Sequence, residues 1–335
     1  MSAVQQVYVI QGRGPRDYAD LETVLAQLPA RVTVLPFITT EEEVIARARD
    51  ADALVVTYSP VGRKVMSALA DLKVVVRTGV GYDVIDIPAA TELGVVAVNI
   101  PDIWVREVAN HTMGLLLAWN RKLITLDRNV RAGSWGAGIP GAWTGSLYGE
   151  TVGIVGLGNI GSAFARRLAA FETSIIAHDP YVADAHFKAL GVERVSLEAL
   201  AERADYVSVH TLLNAETRHL IDAAFFRRMK PTALLINTAR GPVVDERALT
   251  QALAQKRLAG AALDVWEWEP VAGDNPLLGM DNVIASPHAA YYSSSAVARV
   301  PRRCAEEVVR ALTGQRPLNV INPEVYAAGA ARRAR

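Results

Sequence analysis

The sequence predicts an α/β fold with two parallel-sheet domains, and three observations lead there. Short β-branched runs alternate with helix-like segments along the first hundred residues. A second strand–turn–helix unit, with a distinctive glycine spacing, begins only near residue 150. The chain of 335 residues, 51% hydrophobic, is long enough to bury two separate cores.

The first domain is expected over residues 1–100. Val7–Ile10, Val32–Leu35, Ala53–Thr57, Val74–Arg77 and Val95–Val98 are apolar runs of strand length, punctuated by Gly94 and Pro101. Strands covered on both faces read as continuous apolar runs, so this rhythm implies a parallel sheet. One long helix, Val105–Arg128, follows; Val108, Leu115, Leu116, Trp119 and Leu123 fall near helical spacing, and its length suits a spine between domains. The second domain is expected over 101–290. After its first strand, the runs Ser174–Ala177, Tyr206–Val209, Ala233–Ile236, Gly260–Leu263 and Val283–Ala285 extend a doubly wound sheet. A last helix, Ser293–Thr313, and the segment Pro317–Pro323 are expected to cross back, making the first domain discontinuous (1–100 and 291–326). Residues 327–335 are alanine, glycine and arginine and read as a frayed tail.

The glycine spacing carries the first chemistry. Val152–Gly161 reads VGIVGLGNIG: an apolar strand, then Gly156, Gly158 and Gly161, with Asn159 and Ile160 opening a helix. Gly156 permits a tight turn, Gly158 lets a pyrophosphate approach the backbone, and Gly161 lets helix and strand pack closely. The helix start offers unpaired N–H groups to phosphate. A second strand ends at His178-Asp179, 18 positions past the last glycine. Asp179 there accepts hydrogen bonds from an adenosine ribose and repels a 2′-phosphate. The whole set predicts a Rossmann dinucleotide domain that takes NAD in preference to NADP.

Bulk properties narrow the partners. Formal net charge is zero, which gives no long-range attraction to nucleic acid or an anionic membrane. Cys304 is the only cysteine, so neither an intrachain disulfide nor a thiolate metal cluster forms; it reads as a packing residue. No run of 18 apolar residues and no signal-type stretch occurs, so a cytoplasmic location is the default expectation.

In open parallel sheets ligands bind beyond the carboxyl ends of the strands. Those ends are His210, Asn237–Arg240, Asp264–Glu269 and Pro287-His288. Arg240 presents a fork suited to a carboxylate. A carboxylate touching the His288 imidazole would favour its charged form and orient its proton; Glu269 fills that role, with Glu267 as a nearby competitor. Together Arg240, Glu269 and His288 suit a 2-oxo acid: arginine holds the carboxylate, a dinucleotide supplies hydride to C2, and His288 supplies the oxygen proton. Oxidation in reverse needs His288 neutral. The scattered histidines suggest no metal site. In the first domain RTGVGYD, Arg77–Asp83, ends a strand, and N–H groups around Val80 and Gly81 are a second grip on the substrate carboxylate. Dividing the substrate site between domains would let closure expel water.

These blocks resemble the D-isomer-specific 2-hydroxyacid dehydrogenase family from Val7 to about Pro323. RTGVGYDVID (77–86), VANHTMGLLLA (108–118), TVGIVGLGNIG (151–161), NTARG (237–241), GAALDVWEWEP (260–270) and SPHAA (286–290) carry the similarity. The resemblance implies that Arg240 binds substrate, that Glu269 and His288 form the acid–base pair, and that Asp264 holds the nicotinamide carboxamide. It places Thr112, His210, Thr238 and Ala239 along the cofactor. It also implies a flavodoxin-like outer domain, a D-product and a homodimer that buries the central helix and an adjoining arm, which would suit Trp135 and Trp143, unless these are ordinary core residues.

Departures qualify the resemblance. Leu212 in HTLLN stands where proline is common and predicts a looser adenine-side loop. Asn110 occupies an often acidic place, and Trp104 enlarges the crossing segment. Glu269 disfavours formate dehydrogenase, which usually has glutamine there. Val80 disfavours phosphite dehydrogenase, which usually has lysine. Glyoxylate or hydroxypyruvate leads as substrate; a pocket near Trp104, Tyr82 and Trp266 leaves aromatic 2-oxo acids open. The alternative outside catalysis is an NADH-sensing protein resembling the C-terminal-binding corepressors, which retain a similar triad.

Overall fold

Five parallel strands form the first sheet: β1 (Gln5–Ile10), β2 (Ala30–Leu35), β3 (Ala53–Val56), β4 (Val74–Arg77) and β5 (Val96–Val98), in the order β2-β1-β3-β4-β5. The computed structural model describes residues 4–12, 17–136, 144–327 and 331. The sheet belongs to a unit of Met1–Trp104 and Ser293–Arg335. Every residue of β3 and β4 is buried, which explains why they read as unbroken apolar runs. Ile10, Ile38, Leu54, Met66, Leu69 and Val75 lie in one of its cores; each such side chain contributes about 1.5–3 kcal/mol on burial.

The C-terminal segment completes this unit. The helix Ser294–Leu312 packs on the helix Ala19–Leu25 and on β4, with Cys304 buried in its apolar face. Beyond it, Ile321 N donates to Ala97 O at 2.8 Å. The buried Asn322 amide accepts from Ala97 N and donates to Val95 O, both at 2.9 Å. The C-terminal segment thus covers the edge of β5, which Val98 also bridges through Val320.

The second unit, Val105–Tyr292, carries seven parallel strands: β6 (Thr151–Val155), β7 (Ser174–His178), β8 (Glu193–Arg194), β9 (Tyr206–Val209), β10 (Leu234–Asn237), β11 (Gly260–Leu263) and β12 (Val283–Ala285). Their order is β12-β11-β10-β9-β6-β7-β8. The chain moves outward from β6 through β7 to β8, then returns to β9 on the other side. That reversal creates a topological switch point between β6 and β9, where dinucleotides bind. Val155 is in register with Val209, so Gly156 and His210 emerge side by side. The two-residue β8 escapes a pattern search because Glu193-Arg194 is exposed and has no apolar run.

The expected single helix over 105–128 is two, Val105–Asn120 and Leu123–Arg131. Lys122 adopts a left-handed φ of 52°, and its Nζ lies 4.0 Å from the Trp119 ring centroid. Buried Asn120 donates to Tyr206 Oη at 2.9 Å, fixing the end of the first helix. The second helix buries none of its residues within this chain: Leu123, Ile124 and Val130 are 54%, 45% and 48% exposed. Trp135 is also exposed, while Trp143 and most of the tail lie outside the described residues. Among the described residues, no helix is long and apolar enough to cross a membrane.

Candidate active site

The three fingerprint glycines do three different things. Gly156 has φ +93°, and a Cβ there would sit 3.0 Å from the His210 carbonyl carbon and from Thr211 N. Gly161 faces the turn so closely that a Cβ would overlap the Gly156 carbonyl. Gly158 is exposed, with no atom within 4 Å of the same position, at the N-terminus of the ten-residue helix Asn159–Leu168. Open space before unpaired helix N–H groups fits a pyrophosphate. Exposed Asn159 and half-buried Ile160 form the helix's first turn.

Asp179 closes the turn from the next strand. Its Oδ2 accepts from Leu157 N at 2.8 Å, and Oδ1 from Tyr181 N and Val182 N at 2.9 and 3.2 Å. The residue singled out for a ribose therefore also braces the glycine loop. Tyr181 donates from its hydroxyl to Glu216. The HTLLN loop is tied as well: Asn214 Oδ1 accepts from Glu216 N and Thr217 N at 2.9 Å, and Thr217 Oγ1 donates to Leu212 O. An Asx turn thus ties the backbone that follows Leu212.

His210, Thr112 and Thr238 follow along the switch-point edge. His210 Nε2 lies 2.9 Å from Ser208 Oγ, and its ring packs 5.4 Å from Phe164. Burial pushes its pKa down to about 3, so the ring is neutral near neutrality. Thr112 Oγ1 donates to Val108 O and meets Thr238 Oγ1 at 2.9 Å. These two buried hydroxyls join the helix Val105–Asn120 to the end of β10.

The next loops hold the candidate chemistry. Asn237 accepts from Ala239 N and donates to Arg240 O, both at 3.0 Å. Half-buried Arg240 donates from Nη1 to Ala239 O at 2.8 Å. A Cβ at Gly241 would overlap the Trp266 carbonyl, so this turn packs directly on the Trp266–Glu269 loop. Glu269 Oε1 accepts from Trp266 N at 3.2 Å, while Oε2 stands 2.8 Å from His288 Nδ1. Both side chains are only about one-fifth exposed, at 20% and 18%. Glu267, the competitor, pairs instead with His219 Nε2 at 2.8 Å and braces Glu246.

His288 sits at φ +54°, a left-handed conformation costing a non-glycine residue about 1–3 kcal/mol. Fully buried Asp264 holds it there. Asp264 O accepts from His288 N at 2.7 Å; its carboxylate accepts from Ala289 N at 2.8 Å, Ala290 N at 2.9 Å and Ser286 Oγ at 2.6 Å. Sequence reasoning missed this bracing and the part of Ser286 in it; the signal was the small polar residue two positions before His288. Trp266 and Trp104, expected near a substrate pocket, are 5% and 4% exposed, and their Nε1 atoms donate to Ser286 O and Thr78 O at 3.2 Å. Val80 and Gly81 follow β4 in the smaller unit, where Asn99 Nδ2 donates to Val80 O at 2.7 Å. Among the described residues no group of His, Cys, Asp or Glu is arranged to hold a metal ion.

Comparison with known proteins places the chain among relatives of known family. Residues 113–290 match the family profile described as D-isomer specific 2-hydroxyacid dehydrogenase, NAD binding domain. The chain is 42% identical to a glyoxylate reductase of Korarchaeum cryptofilum over 85% of this chain and 87% of that protein. It is 40% identical to a D-3-phosphoglycerate dehydrogenase of Methanocaldococcus jannaschii, over 84% of this chain but 54% of that longer protein. An NADPH-dependent glyoxylate/hydroxypyruvate reductase of Sinorhizobium meliloti, solved with NADP and malonate, superposes with a TM-score of 0.84 at 30% identity, covering 96% of this chain and 98% of that one.

Proposed function

Because this chain belongs to the D-isomer-specific 2-hydroxyacid dehydrogenase family, as an NAD(P)-dependent enzyme of it, we propose that it reduces glyoxylate or hydroxypyruvate with NADH. The observation that carries the reading is the His288 Nδ1–Glu269 Oε2 contact of 2.8 Å beside the Arg240 turn. The similar glyoxylate and hydroxypyruvate reductases support this substrate choice.

Each residue is then assigned a task. Arg240 binds the substrate carboxylate through a charge-assisted fork. His288, oriented by Glu269, gives a proton to the oxygen on C2 as charge develops there. The bound coenzyme supplies the hydride to C2. Gly156, Gly158, Asn159, Ile160 and Gly161 take its pyrophosphate, and Asp179 takes the ribose and favours NADH over NADPH. Thr112, His210, Thr238, Ala239 and Asp264 line the rest of the coenzyme. Val80 and Gly81 are assigned to substrate binding because a glycine-rich turn at the carboxyl end of a parallel strand exposes N–H groups.

The strand order β2-β1-β3-β4-β5 supports a flavodoxin-like assignment for the smaller, substrate-binding domain. The uncovered apolar face of Leu123–Arg131 supports a homodimer, and a cytoplasmic location belongs to the same reading. The test is a panel of 2-oxo acids with NADH and NADPH, with chiral analysis of the products. Hydroxypyruvate turning over to D-glycerate with NADH is the expected result. No turnover across the panel, together with protein binding strengthened by NADH, would replace this reading with the corepressor-like one.

A further inference from the structure

The geometry points to His111 as a positioning residue for His288, acting through Ser286 and Asp264. His111 lies on the helix Val105–Asn120, remote in sequence from the catalytic turn. Its Nε2 is 3.2 Å from Ser286 Oγ and 3.5 Å from Asp264 Oδ1. Ser286 has a single hydroxyl hydrogen and gives it to Asp264 Oδ1 at 2.6 Å. The contact from His111 is therefore a donation from Nε2–H onto the Ser286 oxygen, with the Asp264 carboxylate close by. Asp264 is fully buried, and a buried carboxylate needs donors on its oxygens. Its other donors are Ala289 N and Ala290 N, the two residues after the left-handed His288. His111 thus orients the Ser286 hydroxyl that donates to Asp264, the group that holds the His288 turn.

This inference rests on His288 being the proton donor, but its first readout does not. Two variants separate the donor from the space it fills: His111→Leu removes Nε2–H, and His111→Gln keeps an N–H at a similar reach. Amide hydrogen exchange at Ala289 and Ala290 is measured in the coenzyme-free protein. The expected result is about tenfold faster exchange in H111L and near-parental exchange in H111Q. With hydroxypyruvate, kcat of H111L should fall about tenfold or more, while KM and the NADH Kd stay within about twofold. H111Q should recover most of the rate. Unchanged exchange in H111L, or an H111Q as defective as H111L, would overturn the assignment. Should H111L fail to fold, His111→Asn, too short to reach Ser286, replaces it under the same criteria. Absent turnover with the exchange pattern intact would discredit the substrate reading and leave the positioning role standing.

Discussion

His288 Nδ1 and Glu269 Oε2 lie 2.8 Å apart, joining the residue before Pro270 to a histidine 19 positions further on. With Nδ1 engaged, Nε2 is the ring atom assigned to proton transfer. His288→Asn should lower kcat by about 10²–10⁴-fold, the usual worth of a positioned acid–base group, with the NADH Kd little changed. Glu269→Gln should cost less. Steady-state kinetics beside fluorescence titration of NADH decide it, and an active H288N enzyme removes this histidine from the mechanism.

Gly158 and Gly161 should fail in opposite ways. Gly158→Ala meets nothing within 4 Å and should leave the Tm nearly unchanged while weakening NADH binding at least tenfold. Gly161→Ala collides with the Gly156 carbonyl and should destabilise the fold by about 1–3 kcal/mol. Thermal unfolding without coenzyme distinguishes them; equal Tm losses would contradict the cradle.

Asp179 braces the glycine loop and is the residue assigned to the ribose. Asp179→Ser should narrow or reverse the preference for NADH over NADPH. It should also cost stability, because Leu157, Tyr181 and Val182 lose their carboxylate acceptor, each bond being worth about 0.5–1.5 kcal/mol. Parallel NADH and NADPH titrations test the first effect and urea unfolding the second. Unaltered coenzyme preference would remove Asp179 from recognition.

His210 makes stability depend on pH in one direction. Its folded pKa of about 3 lies below the unfolded value of about 6.5. The unfolded chain therefore takes up a proton first as pH falls. Its contribution is intact above about pH 6.5 and declines toward pH 3, at up to about 1.4 kcal/mol per pH unit. Urea unfolding between pH 7 and pH 5 should show this slope, and His210→Asn should flatten it. An identical slope in the variant would refute the assignment.

The helix Leu123–Arg131 predicts association. Replacing Leu123 and Ile124 by glutamate puts charge on an apolar face that this chain leaves uncovered. Light scattering should give a dimer mass for the parent and half that mass for the double variant. A monomeric parent would count against the homodimer.

The glycine turn was legible because its constraints are short-ranged. A positive φ at Gly156 and the close approach at Gly161 depend on atoms within a turn of backbone and on the strand beside it. The central strands β3, β4, β9, β10 and β11 were equally readable, since burial on both faces leaves an unbroken apolar run. Leu123 was less readable: it continues the helical spacing of Leu115 and Leu116, yet Lys122 breaks the helix before it. Apolar spacing records a face but not a change in chain direction.

Residue types alone established a dinucleotide domain and a set of polar groups at strand ends. They left Glu267 and Glu269 as rivals, put His210 at a strand end without the desolvation of its ring, and gave no partner to His111 or Ser286. Folding settled those matters by bringing separate loops together, pairing Glu269 with His288 and Glu267 with His219. Backbone sterics act over a few bonds and are written locally. Burial and the choice of partner depend on which distant segments share a place, so they exist only once the chain is packed.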